Sequence, residues 1–304
     1  MKKYLCLLFV ILFSCNNHDE NKIAIVIHGG AGIILKENIS KSKEDSIINK
    51  LDEAISKGWE LLKKGQSSEM AVIETIKILE DSPLFNAGKG SVFNNEGKVE
   101  NDASIMKGND LNAGASSGTS NVKNPITLAA NIMNHSEHVF LSGKGAENFA
   151  KNRNLEIVNN EYFHTKFRYN QLLNKKGEDK YGTVGCVAID VNGNIVAGTS
   201  TGGMTNKKWG RIGDSPIIGA GTYANNSTCG ISSTGSGEYF IRTVAAYQVS
   251  SLLENHNYDL KKAMYKVIHE KIGGIGGDGG MIGIDKNSNI SMEFNTPGMY
   301  RAYV

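Results

Sequence analysis

The chain has 304 residues and a formal net charge of +2, with acidic and basic residues mixed along its length. This balance gives no indication of a nucleic-acid-binding protein. The 35 glycines and 4 prolines are typical of a sheet-rich fold with many tight loops. About 290 residues beyond a leader are enough for one large domain with its own core.

Residues 1–14 have the pattern of an export signal. A basic start precedes the apolar run Leu5–Phe13, which is too short to span a bilayer as a helix. The end of this run, where Ser14 precedes Cys15, resembles a bacterial lipoprotein signal, in which the cysteine becomes the lipidated first residue. We therefore expect export to the bacterial cell envelope, in the periplasm, with Cys15 as lipid anchor and residues 15–22 as a tether. The alternative is an ordinary secretory signal in which Cys15 has no special role.

One strand and two helices are predicted next. Ile23–Ile27 is a continuous apolar run of strand length that ends in a glycine turn. From Ser42 to Gly65 apolar residues recur every three or four positions, which predicts an amphipathic helix. A second helix is predicted to start at a serine cap, Ser67 or Ser68, and to end before the proline at position 83.

A linker is predicted over about residues 160–182. Apart from scattered aromatic residues this stretch is polar, and its end, Asn174–Lys180, is densely charged. Such a composition buries little apolar surface, so we expect a mobile and poorly packed segment. The polar character stops abruptly at Gly182.

The part of the chain after the linker predicts a hairpin, further strands and two helices. Val184–Asp190 and Ile195–Thr199 flank Asn192-Gly193, the strongest short hairpin signal in the sequence. The other predicted elements are strands at Ile217–Ala220, Cys229–Ser232, Met281–Ile284 and Ile290–Phe294, and helices at Glu238–Leu253 and Leu260–Ile272. Periodicity thus predicts a layered α+β fold, one domain over residues 23–304.

A threonine stands between two glycines where the linker meets the hairpin, since residues 181–190 read YGTVGCVAID. A threonine hydroxyl is a weak nucleophile unless a base lies within hydrogen-bond reach. The sequence contains neither a Gly-x-Ser-x-Gly elbow nor a readable Ser/His/Asp set. Cleavage of the Gly182–Thr183 bond would supply a base, because the new α-amine has a pKa near ~8.

Gly182 favours such a cleavage, because glycine permits the strained backbone that an attack by Thr183 on the preceding carbonyl requires. An N-to-O acyl shift and hydrolysis of the ester would follow. The expected products are an α fragment, residues 15–182, and a β fragment, residues 183–304. The alternative is a threonine that serves merely as a strand former.

Further glycine-rich runs accompany this threonine, at His28–Gly32, Pro83–Gly90, Thr199–Asn206, Gly210–Pro216 and Ser233–Glu238. With them the chain resembles, over roughly residues 23–300, the plant-type asparaginase/isoaspartyl peptidase branch of the N-terminal-nucleophile (Ntn) hydrolases. The resemblance implies a four-layer αββα sandwich that cleaves itself before Thr183. It also implies a homodimer of processed αβ units.

The resemblance implies roles for the residues around the nucleophile Thr183. Thr201 would hydrogen-bond and polarise the Thr183 hydroxyl. The Thr234 hydroxyl and the Gly235 amide would contact the substrate and stabilise its oxyanion, as glycine-turn amides can. The alternative for the loop around Thr234 is a phosphate site at a helix N-terminus, but the Gly-Lys-Ser/Thr of a P-loop does not follow.

Arg211 and Asp214 lie in a Gly-Arg-Ile-Gly-Asp turn. An arginine fork fits a carboxylate and an aspartate accepts hydrogen bonds from an ammonium, so the pair would hold both charges of an amino-acid α-carbon. The alternative is a surface salt bridge between the two. Trp209 stands where the family usually has a proline, which leaves the specificity open.

The run Leu79–Lys89 is similar to the family's sodium loop, in which backbone carbonyls bind a hard monovalent cation. Here the carbonyls would be those of Leu79, Glu80, Ser82, Phe85, Ala87 and Lys89. The alternative is a glycine loop that holds no ion. Asn86 in this run would also support the new amine of Thr183.

Three other features have simpler interpretations. His28-Gly29-Gly30 is similar to the family's glycine switch, whose backbone flips to permit self-cleavage, and His28 itself is expected to be structural. Cys186 and Cys229, 43 residues apart, are predicted to be buried strand thiols. His135–His138 is too sparse for a transition-metal site, and no organic cofactor is implied.

The resemblance implies an amidohydrolase that cleaves isoaspartyl dipeptides and converts L-asparagine to L-aspartate and ammonia. One alternative has the same fold and acts on sugar-linked asparagine, as a glycosylasparaginase. Another alternative is a lipid-anchored binding protein that never processes itself. The sequence does not reveal which dipeptide is preferred.

Overall fold

The computed structural model describes residues 23–35, 37, 39–174 and 182–304. The predicted signal peptide, the tether with Cys15, and residues 175–181 lie outside the described residues. The strands are β1 Ala24–Gly32, β2 Asn101–Lys107, β3 Ala113–Thr119, β4 Phe140–Ser142, β5 Val184–Ile189, β6 Ile195–Thr201, β7 Thr222–Ala224, β8 Cys229–Gly235, β9 Gly279–Asp285, β10 Ile290–Phe294 and β11 Gly298–Tyr303. The helices are α1 Lys41–Lys63, α2 Ser68–Glu80, α3 Pro125–His135, α4 Gly143–Asn152, α5 Lys166–Leu173, α6 Gly237–Thr243, α7 Ala245–His256 and α8 Leu260–Tyr265.

The described strands form two sheets. One has seven strands in the order β11-β1-β5-β6-β2-β3-β4, and the other has four in the order β10-β9-β8-β7. Every pairing is antiparallel except that of β3 with β4. The predicted hairpin around Asn192-Gly193 is confirmed as β5 paired with β6.

Three apolar clusters show that the sheets and helices form four layers. Helices α1, α2 and α3 pack on the outer face of the seven-stranded sheet, around Leu51, Ile76 and Ile105. Apolar side chains such as Val187 and Ile282 fill the space between the two sheets. Helices α7 and α8 cover the outer face of the small sheet. The expected αββα sandwich is therefore confirmed, with both sheets buried on two faces.

The first two predicted helices form, and a serine caps each of them, as was predicted for the second helix only. The Ser40 and Ser67 hydroxyls accept hydrogen bonds from the amides of Lys43 and Met70, each at 3.3 Å, and so satisfy amides that no helical carbonyl reaches. Helix α2 ends at Glu80, three residues before the proline.

Three predictions in the second half were wrong in detail. Ile217–Ala220 forms turns and one isolated bridge rather than a strand, and the strand that follows is β7. The helix predicted over Glu238–Leu253 breaks at Val244, whose φ of 49° interrupts the helical backbone. The helix predicted over Leu260–Ile272 is α-helical as far as Tyr265 and continues as a π-helix. Periodicity located the apolar faces but not these local backbone changes.

The first part of the predicted linker is packed, contrary to the expectation of a poorly packed segment, and residues 175–181 lie outside the described residues. Residues Asn160–Phe163 form a 3-10 turn in which the Phe163 ring is fully buried against Phe93 and Val99. Arg168 on α5 is 1% exposed, and its Nε donates a hydrogen bond to the Gly90 carbonyl at 2.8 Å. A polar sequence had predicted poor packing, but here a buried arginine finds carbonyl and amide partners.

Cys186 and Cys229 are free, buried thiols in separate apolar clusters on opposite sides of the sandwich, as predicted. Burial raises the pKa of the Cys229 thiol to about 12, so it is protonated at neutral pH. In the described part of the chain, no helix combines the length and the apolar character needed to cross a bilayer.

A buried carboxyl joins three elements beside the predicted cation loop. Glu80 Oε1 accepts hydrogen bonds from the Ile126 amide of α3 at 2.9 Å and from the Ser200 hydroxyl of β6 at 2.6 Å. The Glu80 side chain is fully buried, and burial raises its pKa from 4.5 to about 8. Glu80 is therefore mostly protonated at neutral pH.

The substitution Glu80→Gln should change how stability depends on pH. Between the unfolded pKa near 4.5 and the folded pKa of about 8, the folded chain keeps a proton that the unfolded chain releases. The stability of the wild type therefore falls as pH rises through this window, and an amide removes that loss. We expect the melting temperature of Glu80→Gln, relative to wild type, to rise from pH 5 to pH 8. Exposed Glu96→Gln is the control, and parallel curves for Glu80→Gln and wild type would contradict the assignment.

Candidate active site

All six residues predicted to bind or transform the substrate line one pocket. The β5–β6 pairing sets Val184 against Ser200, which places Thr183 and Thr201 side by side at one end of the large sheet. Strand β8 of the small sheet brings Thr234 and Gly235 to the same end. The turn before β7 supplies the remaining two, Arg211 and Asp214.

The hydroxyl of Thr183 donates a hydrogen bond to the Thr201 hydroxyl at 3.1 Å. Thr201 Oγ1 also accepts from the Gly203 amide at 3.0 Å, and its side chain is buried. Among the described residues, no histidine or carboxylate hydrogen-bonds the Thr183 hydroxyl. In the uncleaved chain this hydroxyl therefore has a polar neighbour but no side-chain base.

The peptide group before Thr183 is held tightly. The Gly182 carbonyl accepts a hydrogen bond from the backbone amide of Asn86 at 3.1 Å. Gly182 has a φ of 47°, and a Cβ there would lie 2.2 Å from the Gly29 carbonyl oxygen. A Cβ at Gly30 would lie 2.0 Å from the Gly182 Cα. Two glycines thus allow the turn after His28 to pack directly on the predicted scission point.

Asn86 connects the predicted cation loop with the end of β6. Its Nδ2 donates to the Gly203 carbonyl at 2.7 Å, and its Oδ1 accepts from the Val92 amide at 3.0 Å. Its backbone carbonyl accepts from the Gly202 amide at 3.0 Å. Asn86 therefore fixes the backbone that follows Thr201.

Thr234 and Gly235 face the nucleophile from the second sheet. Thr234 Oγ1 accepts a hydrogen bond from the Ala31 amide at 3.3 Å, which leaves its own proton available to a ligand. A Cβ at Gly235 would lie 2.4 Å from the Asp278 carbonyl oxygen. Glycine at 235 is thus needed for the close approach of two backbone segments.

Arg211 has a different partner from the one expected. Its Nε and one terminal nitrogen donate to the two carboxylate oxygens of Glu238, both at 2.9 Å. The surface salt bridge between Arg211 and Asp214, which the sequence left open, does not form. The guanidinium fork lines the pocket and holds the Glu238 carboxylate, and the predicted contact with a substrate carboxylate stays a prediction.

Asp214 is a buried carboxyl without a strong partner. It is 4% exposed, and its Oδ2 has no hydrogen-bond partner among the described residues. Burial raises its pKa from 3.8 to about 7, and the charge of Arg211 opposes this shift. Asp214 lines the pocket, and a carboxylate in this position can accept hydrogen bonds from a cationic group.

His28 contacts the backbone of the nucleophile rather than its hydroxyl. Its Nδ1 lies 3.0 Å from the Thr183 carbonyl oxygen, and the ring is fully buried. Burial lowers the His28 pKa to about 3, so the imidazole is neutral. A neutral ring facing a carbonyl is the structural role that the sequence predicted for His28.

The predicted cation loop folds back on itself. A Cβ at Gly88 would lie 2.4 Å from the Glu80 carbonyl oxygen, and one at Gly90 would lie 2.0 Å from the Phe85 carbonyl oxygen. The carbonyl oxygens of Glu80 and Phe85, two of the six predicted cation ligands, therefore lie close to the backbone at Gly88 and Gly90. The described residues contain no cluster of three or more His, Cys, Asp or Glu side chains suited to a metal.

Several pocket residues were not predicted as part of the site, and Glu238, Ala31 and Met204 are examples. Glu238 was read as the start of a helix, although its position in Ser-Gly-Glu after the Thr234 loop could have placed it near Arg211. Ala31 and Met204 line the pocket through their position next to the glycine runs. Nothing in the chemistry of an alanine or a methionine marks it as a ligand contact.

A four-layer αββα sandwich with a threonine before an inner strand, facing a pocket, defines the class of Ntn hydrolases. A family model described as asparaginase matches residues 21–304 of the chain. The isoaspartyl peptidases of Escherichia coli (strain K12) and Salmonella typhimurium are both 45% identical, over 93% of this chain and 92% and 95% of their own. The plant-type L-asparaginase of Pyrococcus horikoshii is 41% identical, over 93% and 96% respectively. The chain therefore belongs to the asparaginase family, whose members are amidohydrolases.

Gly235→Ala should destabilise the fold at the pocket. The added Cβ would meet the Asp278 carbonyl oxygen at 2.4 Å and the Gly279 Cα at 2.6 Å, so backbone has to move. We expect a loss of about 2 kcal/mol or more in the free energy of unfolding. Gly145→Ala in α4 is the matched control, because no atom lies within 4 Å of its added Cβ. Thermal melts in which both variants behave alike would contradict this packing.

Proposed function

We propose that this chain is a self-processing isoaspartyl peptidase and L-asparaginase. It cleaves β-aspartyl dipeptides and hydrolyses L-asparagine to L-aspartate and ammonia. The observation that carries the proposal is the 3.1 Å contact between the Thr183 and Thr201 hydroxyls in a pocket that also holds Arg211 and Asp214. The names of the similar proteins point to the same substrates.

Self-processing begins at the Gly182 carbonyl. The backbone amide of Asn86 donates to this oxygen and would stabilise the negative charge that develops when the Thr183 hydroxyl attacks the carbonyl carbon. The Gly182–Thr183 amide then becomes an ester, and water hydrolyses it. The products are the α fragment, which ends at Gly182, and the β fragment, which begins with a free amine on Thr183.

The new amine supplies the missing base for substrate hydrolysis. It accepts the proton of the Thr183 hydroxyl as Oγ1 attacks the side-chain carbonyl of the β-aspartyl group. Thr201 keeps the hydroxyl in position, and the Thr234 hydroxyl with the Gly235 amide stabilises the oxyanion. The amine returns its proton to the departing nitrogen, and water releases aspartate from the ester.

The substrate's α-carbon would lie between Arg211 and Asp214. The Asp214 carboxylate, which lines the pocket, accepts hydrogen bonds from the ammonium. The α-carboxylate takes a place on the Arg211 fork that Glu238 now occupies, so binding exchanges one bidentate carboxylate for another. This exchange keeps the guanidinium paired throughout, which limits the cost of desolvating the site.

The Leu79–Lys89 loop fits a hard monovalent cation such as sodium, since the approaches at Gly88 and Gly90 gather backbone oxygens there. The ligands would be the carbonyls of Leu79, Glu80, Ser82, Phe85, Ala87 and Lys89. A bound cation would fix the loop that presents Asn86 to the scissile carbonyl. A cation held by these carbonyls would supply rigidity to this loop.

Location and assembly complete the proposal. The leader pattern supports cleavage before Cys15 and a lipid anchor that holds the enzyme at the bacterial cell envelope, in the periplasm. The processed αβ units pair as a homodimer, as the resemblance implies. Neither property is needed for the chemistry at Thr183.

The first test of this proposal is the Thr183→Ala substitution. Purified wild type should give two bands on a denaturing gel, with Thr183 as the first residue of the smaller fragment. Thr183→Ala should remain one chain and release no aspartate from a β-aspartyl dipeptide. The control Thr127→Ala removes a hydroxyl on α3, away from the pocket, and should process normally. A wild-type enzyme that is active while its Gly182–Thr183 bond is intact would contradict the proposal.

A second test uses the pH dependence of substrate binding. Asp214 must be ionised to hold the ammonium, and its pKa in the empty site is about 7, so KM should rise as pH falls from 8 to 5. Asp214→Asn should show a KM higher by roughly tenfold to a hundredfold at pH 8, because a charge-assisted hydrogen bond is lost. Its KM should also lack the rise at low pH. An equally steep rise in Asp214→Asn would assign the titration to another group.

A further inference from the structure

A continuous chain of hydrogen bonds runs through the interior from the nucleophile to the substrate turn. We call it the buried hydroxyl chain, and its members, all with 0% exposure, are His28, Ser232, Thr199, Thr222 and Ser104. One end is the contact of His28 with the Thr183 carbonyl at 3.0 Å. The other end is the contact of Ser104 with the Ser215 carbonyl at 2.6 Å, directly after Asp214.

The links between these ends are short and cross from sheet to sheet. His28 Nε2 lies 3.0 Å from the Ser232 hydroxyl, which lies 2.7 Å from the Thr199 hydroxyl. Thr199 lies 2.6 Å from the Thr222 hydroxyl, which lies 2.8 Å from the Ser104 hydroxyl. His28, Thr199 and Ser104 belong to the large sheet, whereas Ser232 and Thr222 belong to the small one.

The strand register explains why these side chains meet. His28, Gly185, Thr199 and Ser104 are successive cross-strand partners in one row over β1, β5, β6 and β2. Ser232 and Thr222 are partners in the opposite row, on β8 and β7. Two polar rows therefore face each other at the pocket end of an interface that is otherwise filled by apolar side chains.

Gly185 leaves the space that the chain needs. A Cβ at this position would lie 2.0 Å from the Ser232 hydroxyl oxygen and 2.3 Å from His28 Nε2. The row on the large sheet therefore has no side chain at position 185, since any side chain there would break the contact between His28 and Ser232.

The proton positions in the chain follow from its two ends. The Thr183 carbonyl can only accept, so the neutral His28 ring carries its proton on Nδ1 and offers Nε2 as an acceptor. Ser232 must then donate to His28, Thr199 to Ser232, and Thr222 to Thr199. Ser104 shares its proton between Thr222 and the Ser215 carbonyl. The hydroxyls of Ser232, Thr199 and Thr222 therefore each donate toward His28 through their short contacts. Thr199 and Thr222 also have longer contacts of 3.4 Å, with the Gly221 and Ser215 carbonyls respectively.

A buried row of this kind needs a reason, because buried polar groups cost free energy unless all are paired. Aliphatic side chains would join the two sheets without that demand, as they do deeper in the same interface. We propose that the buried hydroxyl chain is a positioning network, which fixes the Thr183 backbone relative to the Asp214–Ser215 turn. This inference rests on the proposed function, since these two sites then hold the nucleophile and the substrate's ammonium.

The network predicts that activity depends on the hydroxyl of residue 199 rather than on the volume of its side chain. Thr199→Val keeps the shape of the side chain but removes the donor to Ser232 and the acceptor for Thr222. Thr199→Ser keeps the hydroxyl and loses a methyl group. We expect the valine variant to lower kcat/KM for a β-aspartyl dipeptide roughly tenfold, since small misplacements of reacting groups are costly. The serine variant should stay within about twofold of wild type by the same reasoning.

The ends of the network should also be coupled. Ser104→Ala removes the 2.6 Å contact to the Ser215 carbonyl and leaves only the 3.4 Å contact from Thr222, so it should raise KM more than it lowers kcat, because the substrate turn loosens. In the Thr199→Val background the chain is already broken, so Ser104→Ala should add little. Ser250→Ala is the control, because it breaks the buried Thr228–Ser250 hydroxyl pair of 2.6 Å outside the network and should leave kinetics unchanged.

The experiment measures kcat and KM for these variants, each after its processing is complete, together with the imidazole ¹⁵N spectrum of His28. Three results would support the network. The kcat/KM should fall in the order wild type, Thr199→Ser, Thr199→Val, and the effects of Thr199→Val and Ser104→Ala should not be additive. The His28 ring should carry its proton on Nδ1. Equal kinetics for Thr199→Val and Thr199→Ser, fully multiplicative effects, or a proton on Nε2 would overturn the network. An inactive wild type would instead refute the proposed function itself, and the network as a catalytic device with it.

Discussion

The structure depends on the contact between two threonine hydroxyls at the end of an antiparallel strand pair. Thr183 and Thr201 meet because β5 and β6 form a tight hairpin whose register brings the end of β6 back to the start of β5. Within the described residues, this contact provides no base, and the Gly182 carbonyl beside it is already polarised by the Asn86 amide. A nucleophile without a base, next to a hydrogen-bonded peptide carbonyl, is the physical basis of the proposed scission, which would create an amine.

The sandwich around this contact controls charge through burial. His28 is neutral because burial lowers its pKa, and Glu80 is mostly neutral because burial raises its pKa. Asp214, with a pKa near 7, is the carboxyl left within reach of a cationic substrate. Arg211 is paired with Glu238, which the substrate's carboxylate would replace under the proposed function. A site with these properties favours a zwitterionic α-amino acid group over a ligand with a single charge.

The sequence predicted much of this arrangement, because its strongest signals are local. The apolar periodicity of α1, the cap at Ser67 and the turn at Asn192-Gly193 act over a few residues, so periodicity and turn chemistry located these elements correctly. The break at Val244 and the pairing of Arg211 with Glu238 depend on contacts between distant segments, which periodicity does not encode. The packed start of the linker was missed for the same reason, since a buried arginine looks like any charged residue in sequence.

The predicted roles of individual pocket residues came from the family resemblance rather than from spacing. The structure brings those residues into one pocket, and their chemistry awaits experiment.

The most direct measurement is mass spectrometry of the enzyme quenched during turnover of a β-aspartyl dipeptide. The account predicts an aspartyl ester on the first residue of the β fragment, Thr183. Turnover with the adduct on another residue, or on an uncleaved chain, would contradict it.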